Sequence, residues 1–284
     1  MTERIVVGLN GSGSSNNALT WAAKRAAKRN AELALAHIVD RGVGLFDAPE
    51  FLHDARVRGE ELLGDVAEEA KRIAPGVRVT TELLEESGIS EAFAELSEDA
   101  ALIVVGSDSR GERAGEEQRG AHSYRVAAGS KAPVLVIPDI DAAGRRGVVV
   151  GVDGSEVSNN AIAYAAAEAD QLGEPLIAVS AWMEPRANFG REYVFTPEIL
   201  ESIALSTAQE QDEALRQVVE QYPELEIERV VENGDPARAL LQRAQNASLL
   251  VVGSHGRGTF RRLLLGSVSH AVLSSLVAPT VVHR

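Results

Sequence analysis

The sequence predicts an α/β protein made of two tandem domains, each a doubly wound parallel sheet of five strands. Short apolar runs alternate with longer amphipathic segments along the whole chain. One order of motifs is written twice, and apolar runs end in glycine-rich turns that open onto helical patterns. At 284 residues the chain is long enough to bury two cores. The expected domains are 1–140 and 147–284, with Asp139 to Gly147 as the linker around Asp141-Ala142-Ala143-Gly144.

The repeat is legible residue by residue. Ile5-Val6-Val7-Gly8-Leu9-Asn10-Gly11-Ser12 returns as Val148-Val149-Val150-Gly151-Val152-Asp153-Gly154-Ser155, and Ser15-Asn16-Asn17-Ala18 returns at the same offset as Ser158-Asn159-Asn160-Ala161. Further on, Ala101 to Ser107 matches Ser248 to Ser254, and Ala132-Pro133-Val134-Leu135-Val136 matches Ala278-Pro279-Thr280-Val281-Val282.

In the second copy the elements follow in order. Val148 to Val152 is an apolar strand, and Ser158 to Leu172 is a helix behind a turn of small polar residues. Pro175 to Trp182 is strand, Pro197 to Tyr222 a long helix and Leu225 to Val231 strand. Pro236 to Asn246 begins with proline where a helix tolerates it. Ser248 to Val252 reads as a buried strand and Ser267 to Leu276 as a helix with apolar Val268, Ala271, Val272 and Leu276; Pro279 to Val282 closes the sheet. Such sheets bind ligands at the carboxyl ends of strands, where the winding reverses. The Asp153-Gly154-Ser155 turn and the loop after Gly253 both follow strand ends, so one crevice can hold them together.

Composition narrows the partners. A net charge of −14 opposes binding to nucleic acid or to an anionic membrane surface. The start, Met1-Thr2-Glu3-Arg4, runs into Ile5-Val6-Val7 without a basic lead or a long apolar segment, so neither a signal peptide nor a membrane span is expected. Absence of cysteine excludes disulfides and thiol chemistry and makes the cytoplasm the expected setting.

The stretch Gly253 to Ser267 is the richest in function. Glycines between a strand and a helix start let the backbone approach an anion, while the free amides and positive dipole end of the helix face the turn. A Walker loop is excluded, since Thr259 follows Gly258 and Ser14 follows Gly13 where that loop needs lysine. Gly8, Gly11 and Gly13 miss the dinucleotide spacing as well.

The spacing present is Gly253, two residues, Gly256, nine residues, Gly266-Ser267, after the fourth strand of the copy. With the Gly-x-Asp-Gly-Ser strand end, the Glu232-Asn233-Gly234-Asp235-Pro236 turn and the Ala-Pro before the last strand, it resembles the ATP-type universal stress proteins, in tandem form. The resemblance implies an adenine nucleotide alpha hydrolase-like fold and ATP as ligand, with Mg²⁺ as a candidate companion. It implies that Asp153, with Gly154 and Ser155 in its turn, lies beside adenine or ribose and that Ala181 lines the base. Gly253 would take the ribose and phosphate side. Gly256, Arg257, Gly258, Gly266, Ser267 and Val268 would surround the phosphates. Ser267 also reads as the N-cap of its helix.

The first copy departs from this pattern. Asn10 replaces the aspartate, Ser109 stands for Gly256 and Ala121 for Ser267, and the loop is one residue longer. Between Ser254 and Leu265 the loop carries Arg257, Arg261 and Arg262 and no acid, a sum of +3. Between Ser107 and Arg119, Arg110, Arg113 and Arg119 face Asp108, Glu112, Glu116 and Glu117, a sum of −1. A charge about 10 Å from a phosphate is worth roughly 0.4 kcal/mol in water-like dielectric, so geometry is expected to outweigh charge.

Other features read as ordinary structure. His37, His53, His122, His255, His270 and His283 show no metal-ligand spacing, and no nucleophile elbow occurs. Glu82-Leu83-Leu84-Glu85-Glu86 reads as an exposed strand end, Trp182 as core or lid packing, and Met183 to Phe195 as a flap over the crevice. The expected function is regulatory ATP binding in a stress response, held mainly by the second copy, with slow hydrolysis at most. A nucleotidyl or phosphoryl transferase and a nucleotide-free interaction protein stay open as alternatives. The short apolar strands Val134 to Ile137 and Thr280 to Val282 invite pairing of the two repeats within the chain, with a homodimer also open.

Overall fold

The structure is a computed structural model, and it describes residues 3–40, 49–86, 88–107, 121–184, 196–257 and 265–284. The chain divides into two compact units, Met1–Ile140 and Asp141–Arg284.

The first unit runs β1 (Arg4–Gly8), α1 (Gly13–Arg29), β2 (Glu32–Asp40), α2 (Pro49–Ile73), β3 (Val79–Glu86), α3 (Ile89–Leu96), β4 (Leu102–Gly106), α4 (Ala121–Gly129) and β5 (Val134–Ile137). Its strands are parallel in the order β3-β2-β1-β4-β5. Val6 and Val7 of β1 and Ile103 and Val104 of β4 are wholly buried, as strands covered by helices on both faces require. Buried Ala18, Ala22 and Ala26 give α1 a small-residue stripe that brings it close to the sheet.

The second unit repeats the plan: β6 (Val148–Gly151), α5 (Glu156–Leu172), β7 (Leu176–Trp182), α6 (Pro197–Gln221), β8 (Ile227–Asn233), α7 (Pro236–Ala244), β9 (Leu249–Gly253), α8 (Ser267–Ser274) and β10 (Thr280–His283). The order β8-β7-β6-β9-β10 is again all parallel. Winding reverses between β6 and β9, so their carboxyl ends flank the crevice that this topology opens. No helix among the described residues is long and apolar enough to cross a membrane.

Helix starts follow local chemistry. Ser12 caps α1 by accepting the amide of Ser15 at 3.3 Å, and Ser155 caps α5 by accepting that of Ser158 at 3.1 Å. Asp235 caps α7 through the amide of Arg238 at 2.8 Å, with Pro236 as its first residue. The start of α8 differs from the sequence reading. Gly266 holds the cap position and Ser267 is the first helical residue, because the extended backbone at Gly266 precedes the first helical turn.

Candidate functional site

Beyond β6, Asp153 closes a small turn in which its Oδ1 accepts the amide of Ser155 at 2.9 Å. Gly154 follows at φ +74°, a left-handed conformation suited to glycine, and a side chain there would overlap the Arg257 guanidinium. Ser158 ties the turn to its strand, donating to the Gly151 carbonyl at 3.3 Å and accepting the Asp153 amide at 3.2 Å.

Beyond β9, Gly253 lets the strand end approach α5; a Cβ would stand 3.1 Å from both Val157 Cγ1 and the His255 carbonyl. The Ser254 carbonyl accepts the Gly266 amide at 2.7 Å and the Ser269 hydroxyl at 3.1 Å, which holds the two ends of the loop together. Gly256 lies against the free side of the Asp153 carboxylate, where a Cβ would overlap Oδ2. Arg257 reaches across Gly154 to pair with Glu210 of α6.

The first α8 bond from amide to carbonyl is His270 to Gly266, at 2.9 Å. Amides of Ser267, Val268 and Ser269 precede it, and no side chain at Gly266 caps them. Together with the positive end of the helix dipole they form a wall suited to an anion.

These pieces enclose a cleft of about 470 Å³ at the ends of β6, β7 and β9. Val152, Val179 and Ala181 line it from the strands, Pro236 and Leu240 from α7, and Leu265 beside the start of α8. Asp153 is the one carboxylate lining it among the described residues. Asp153, Ala181, Gly253, Gly256, Arg257, Gly266, Ser267 and Val268 therefore share one cavity. Gly154 instead lines an adjoining cavity, Ser155 is engaged as the α5 cap, and Gly258 lies outside the described residues, as do Arg261, Arg262 and most of the expected flap. The sequence reading missed Pro236 and Leu240 as cleft residues. Their signal was the Asn233-Gly234-Asp235-Pro236 turn, which places α7 over β6.

In the first unit the strand-end turn persists. Asn10 Oδ1 accepts the Ser12 amide at 3.0 Å and Gly11 holds φ +77°. What stands above it differs. Phe93, only 3% exposed, packs on Gly8 so tightly that a Cβ there would lie 2.6 Å from Cζ, whereas Leu240 would be 3.3 Å from a Cβ at Gly151. Pairing of Gly8 with Ala36 and of Gly151 with Val179 also places Ile38 at the position of Ala181.

Comparison with known proteins agrees with this duplicated architecture. The model of the universal stress protein family matches residues 1–138 and again 144–284. The chain belongs to the universal stress protein family. Universal stress protein Rv2005c of Mycobacterium tuberculosis is 34% identical over 298 residues, covering 99% of this chain and 96% of that protein. Universal stress protein Rv2623 of the same organism is 32% identical over 293 residues, with the same coverage. A universal stress protein from Archaeoglobus fulgidus, solved by crystallography, is similar with a TM-score of 0.74 at 19% identity, covering 98% of this chain and 95% of that one. The fold is thus the adenine nucleotide alpha hydrolase-like fold in two copies. Phe93 and Leu240 consequently distinguish two copies of one domain type.

Proposed function

We propose that the second unit binds one adenine nucleotide per chain, ATP in the first instance, and that this universal stress protein works by a conformational or associative response to that nucleotide. The observation that carries the reading is the pairing, across one cleft, of the uncapped α8 start with Asp153 and an apolar floor. Phosphates suit the amides of Ser267 and Val268, with Arg257, held by Glu210, at the edge of the cleft. The base suits Ala181, Val179 and Leu240, and a ribose hydroxyl can donate to Asp153. A volume of about 470 Å³ falls within the range of small-molecule sites.

Mg²⁺ is proposed only as a companion of the phosphates. Asp153 is the single carboxylate lining the cleft among the described residues, and Mg²⁺ commonly binds through one or two carboxylates plus substrate phosphates. The cysteine-free composition supports a cytoplasmic setting. We further propose that the repeats pair within the chain through their short last strands, Val134–Ile137 and Thr280–His283. Light scattering of separately produced halves tests this pairing, and halves that stay monomeric when mixed would refute it.

The decisive experiment is chemical. Freshly purified protein is denatured and the released nucleotide identified, and the emptied chain is titrated with ATP by calorimetry. One strong site per chain is expected. Two equal sites, or none for any adenine nucleotide, would overturn the reading. Turnover should fall far below the roughly 1 to 100 per second of kinases, since the loop lacks the Walker lysine.

A further inference from the structure

A second cavity, of about 370 Å³, lies between the ends of β6 and β7 and helix α6, sharing Asp153 and Arg257 with the nucleotide cleft. Gln211 of α6 borders it although only 1% exposed. The orientation of its amide is fixed by its neighbours. The two hydrogens of Nε2 are shared among three acceptors, the Ala178 carbonyl at 3.1 Å, Ser180 Oγ at 3.0 Å and the Val230 carbonyl at 3.1 Å. Ser180 spends its own proton on the Val152 carbonyl at 3.0 Å, so it can only accept from Gln211. The opposite end of the amide, Oε1, has no partner among the described residues and is left to the cavity. A ligand that supplies a donor to it gains a hydrogen bond where little water competes.

Acceptors predominate among the other polar groups lining the cavity, beside the Ser206 hydroxyl and the Trp182 indole N–H. Thr207 gives its proton to the Ile203 carbonyl at 2.9 Å, leaving only lone pairs. Asp153 and Glu210 are carboxylates, and the one cation lining the cavity among the described residues, Arg257, is already paired with Glu210. Val152, Ile203 and the Trp182 ring supply apolar surface beside them. This combination disfavours an anion and exceeds what a bare metal ion needs.

We propose that this cavity binds a small primary ammonium compound. Its body packs against Ile203 and Trp182, and its three N–H donors reach Gln211 Oε1 and the carboxylates of Glu210 and Asp153. The indole face adds attraction for a cation, and the −14 net charge of the chain raises the local concentration of cations. The site goes beyond the nucleotide reading and does not depend on it.

The test titrates the full, nucleotide-free chain with phenethylammonium, neutral 2-phenylethanol and anionic 3-phenylpropanoate. Phenethylammonium should saturate one site per chain, with the alcohol at least about tenfold weaker and the carboxylate silent. Glu210→Gln should weaken the ammonium about fivefold by removing one charge. Ile203→Trp, made at a half-buried helix position, should fill the cavity and abolish ammonium binding while ATP affinity stays within about twofold. Equal binding of all three probes, no saturation by about 10 mM, or ammonium binding unchanged in Ile203→Trp would each overturn the proposal. Ammonium binding by a chain that binds no ATP would sink the nucleotide reading alone.

Discussion

Phe93 rests on Gly8 in the first unit, while in the second Leu240 stands over Gly151 and borders an open cleft. Beneath these two side chains the backbone is nearly the same. Asn10 and Asp153 close the same turn, Gly11 and Gly154 share a left-handed φ, and Ser12 and Ser155 cap the helices that follow. Gly106 and Gly253 both admit the neighbouring helix, so even this part of the glycine pattern is explained by packing. Features kept in both units therefore build the domain. Features confined to the second, namely the Asp153 charge, Gly256, Leu240 and Ala181, are the ones to test for ligand binding.

The largest expected effect comes from Gly256→Val. The new side chain would meet the Asp153 carboxylate and displace the loop from the cleft. ATP affinity should fall by at least about a hundredfold in calorimetry, with the melting transition close to that of the parent. Undiminished affinity would break the link between this glycine and the asymmetry of the halves.

Exchanging the side chains above the strand ends sharpens the comparison. Leu240→Phe should copy the filled first unit into the second and weaken ATP about tenfold or more. The reverse change, Phe93→Leu, should cost about 1 to 2 kcal/mol of stability in urea unfolding by removing buried volume. It should create no strong second site, since Asn10 and Ile38 stay in place. A tight second site in that single variant would show that Phe93 alone closes the first unit.

A smaller effect is expected at the α8 start. Ser267→Ala removes one hydroxyl from the cleft and should weaken ATP about fivefold, near the 1 kcal/mol of a single hydrogen bond. Ala121→Ser at the matching α4 position should leave binding unchanged. Gain of a second site there would contradict the view that several residues silence the first unit.

Much of this was legible in sequence because the repeat supplies its own control. Strand and helix identities came from apolar periodicity, Asp153 and Gly253 from turns at strand ends, and Gly256 and Gly266 from the glycine spacing that resembles the universal stress proteins. Phe93 and Leu240 escaped because both are apolar at a helical position that any α/β domain buries; only the packing tells a filled site from a lined one. Gln211 escaped for the opposite reason. A polar residue on a long helix reads as solvated, and its burial depends on three acceptors brought together by β7 and β8. The α8 cap was misplaced by one residue, since serine after glycine suits the cap by propensity while the extended backbone falls on Gly266.

The smallest predicted difference separates the last strands. His283 of β10 stands where β5 has Ile137, and both backbones do the same work: Ser107 donates its amide to the Ile137 carbonyl at 2.8 Å, and Ser254 to the His283 carbonyl at 2.6 Å. Burial lowers the pKa of the His283 imidazole below its ordinary value, an effect partly offset by the hydrogen bond of Nδ1 to the Arg284 carbonyl at 2.8 Å. In the unfolded chain the ring takes up its proton near the usual histidine pKa of about 6.5, whereas in the folded chain it does so only at lower pH. Between those points the unfolded state binds more protons, so this contribution is fully present above the ordinary histidine pKa and is lost as pH falls below it. His283→Ile makes the second unit resemble the first at this position and leaves an apolar partner for the Tyr164 ring, whose centroid lies 5.4 Å from the imidazole. Urea unfolding at about pH 7.5 and about pH 5.5 should show a steeper loss of stability in the parent than in the variant. Equal losses would assign the pH dependence to other groups, and a parent that gains on the variant as pH falls would reverse the assigned sign.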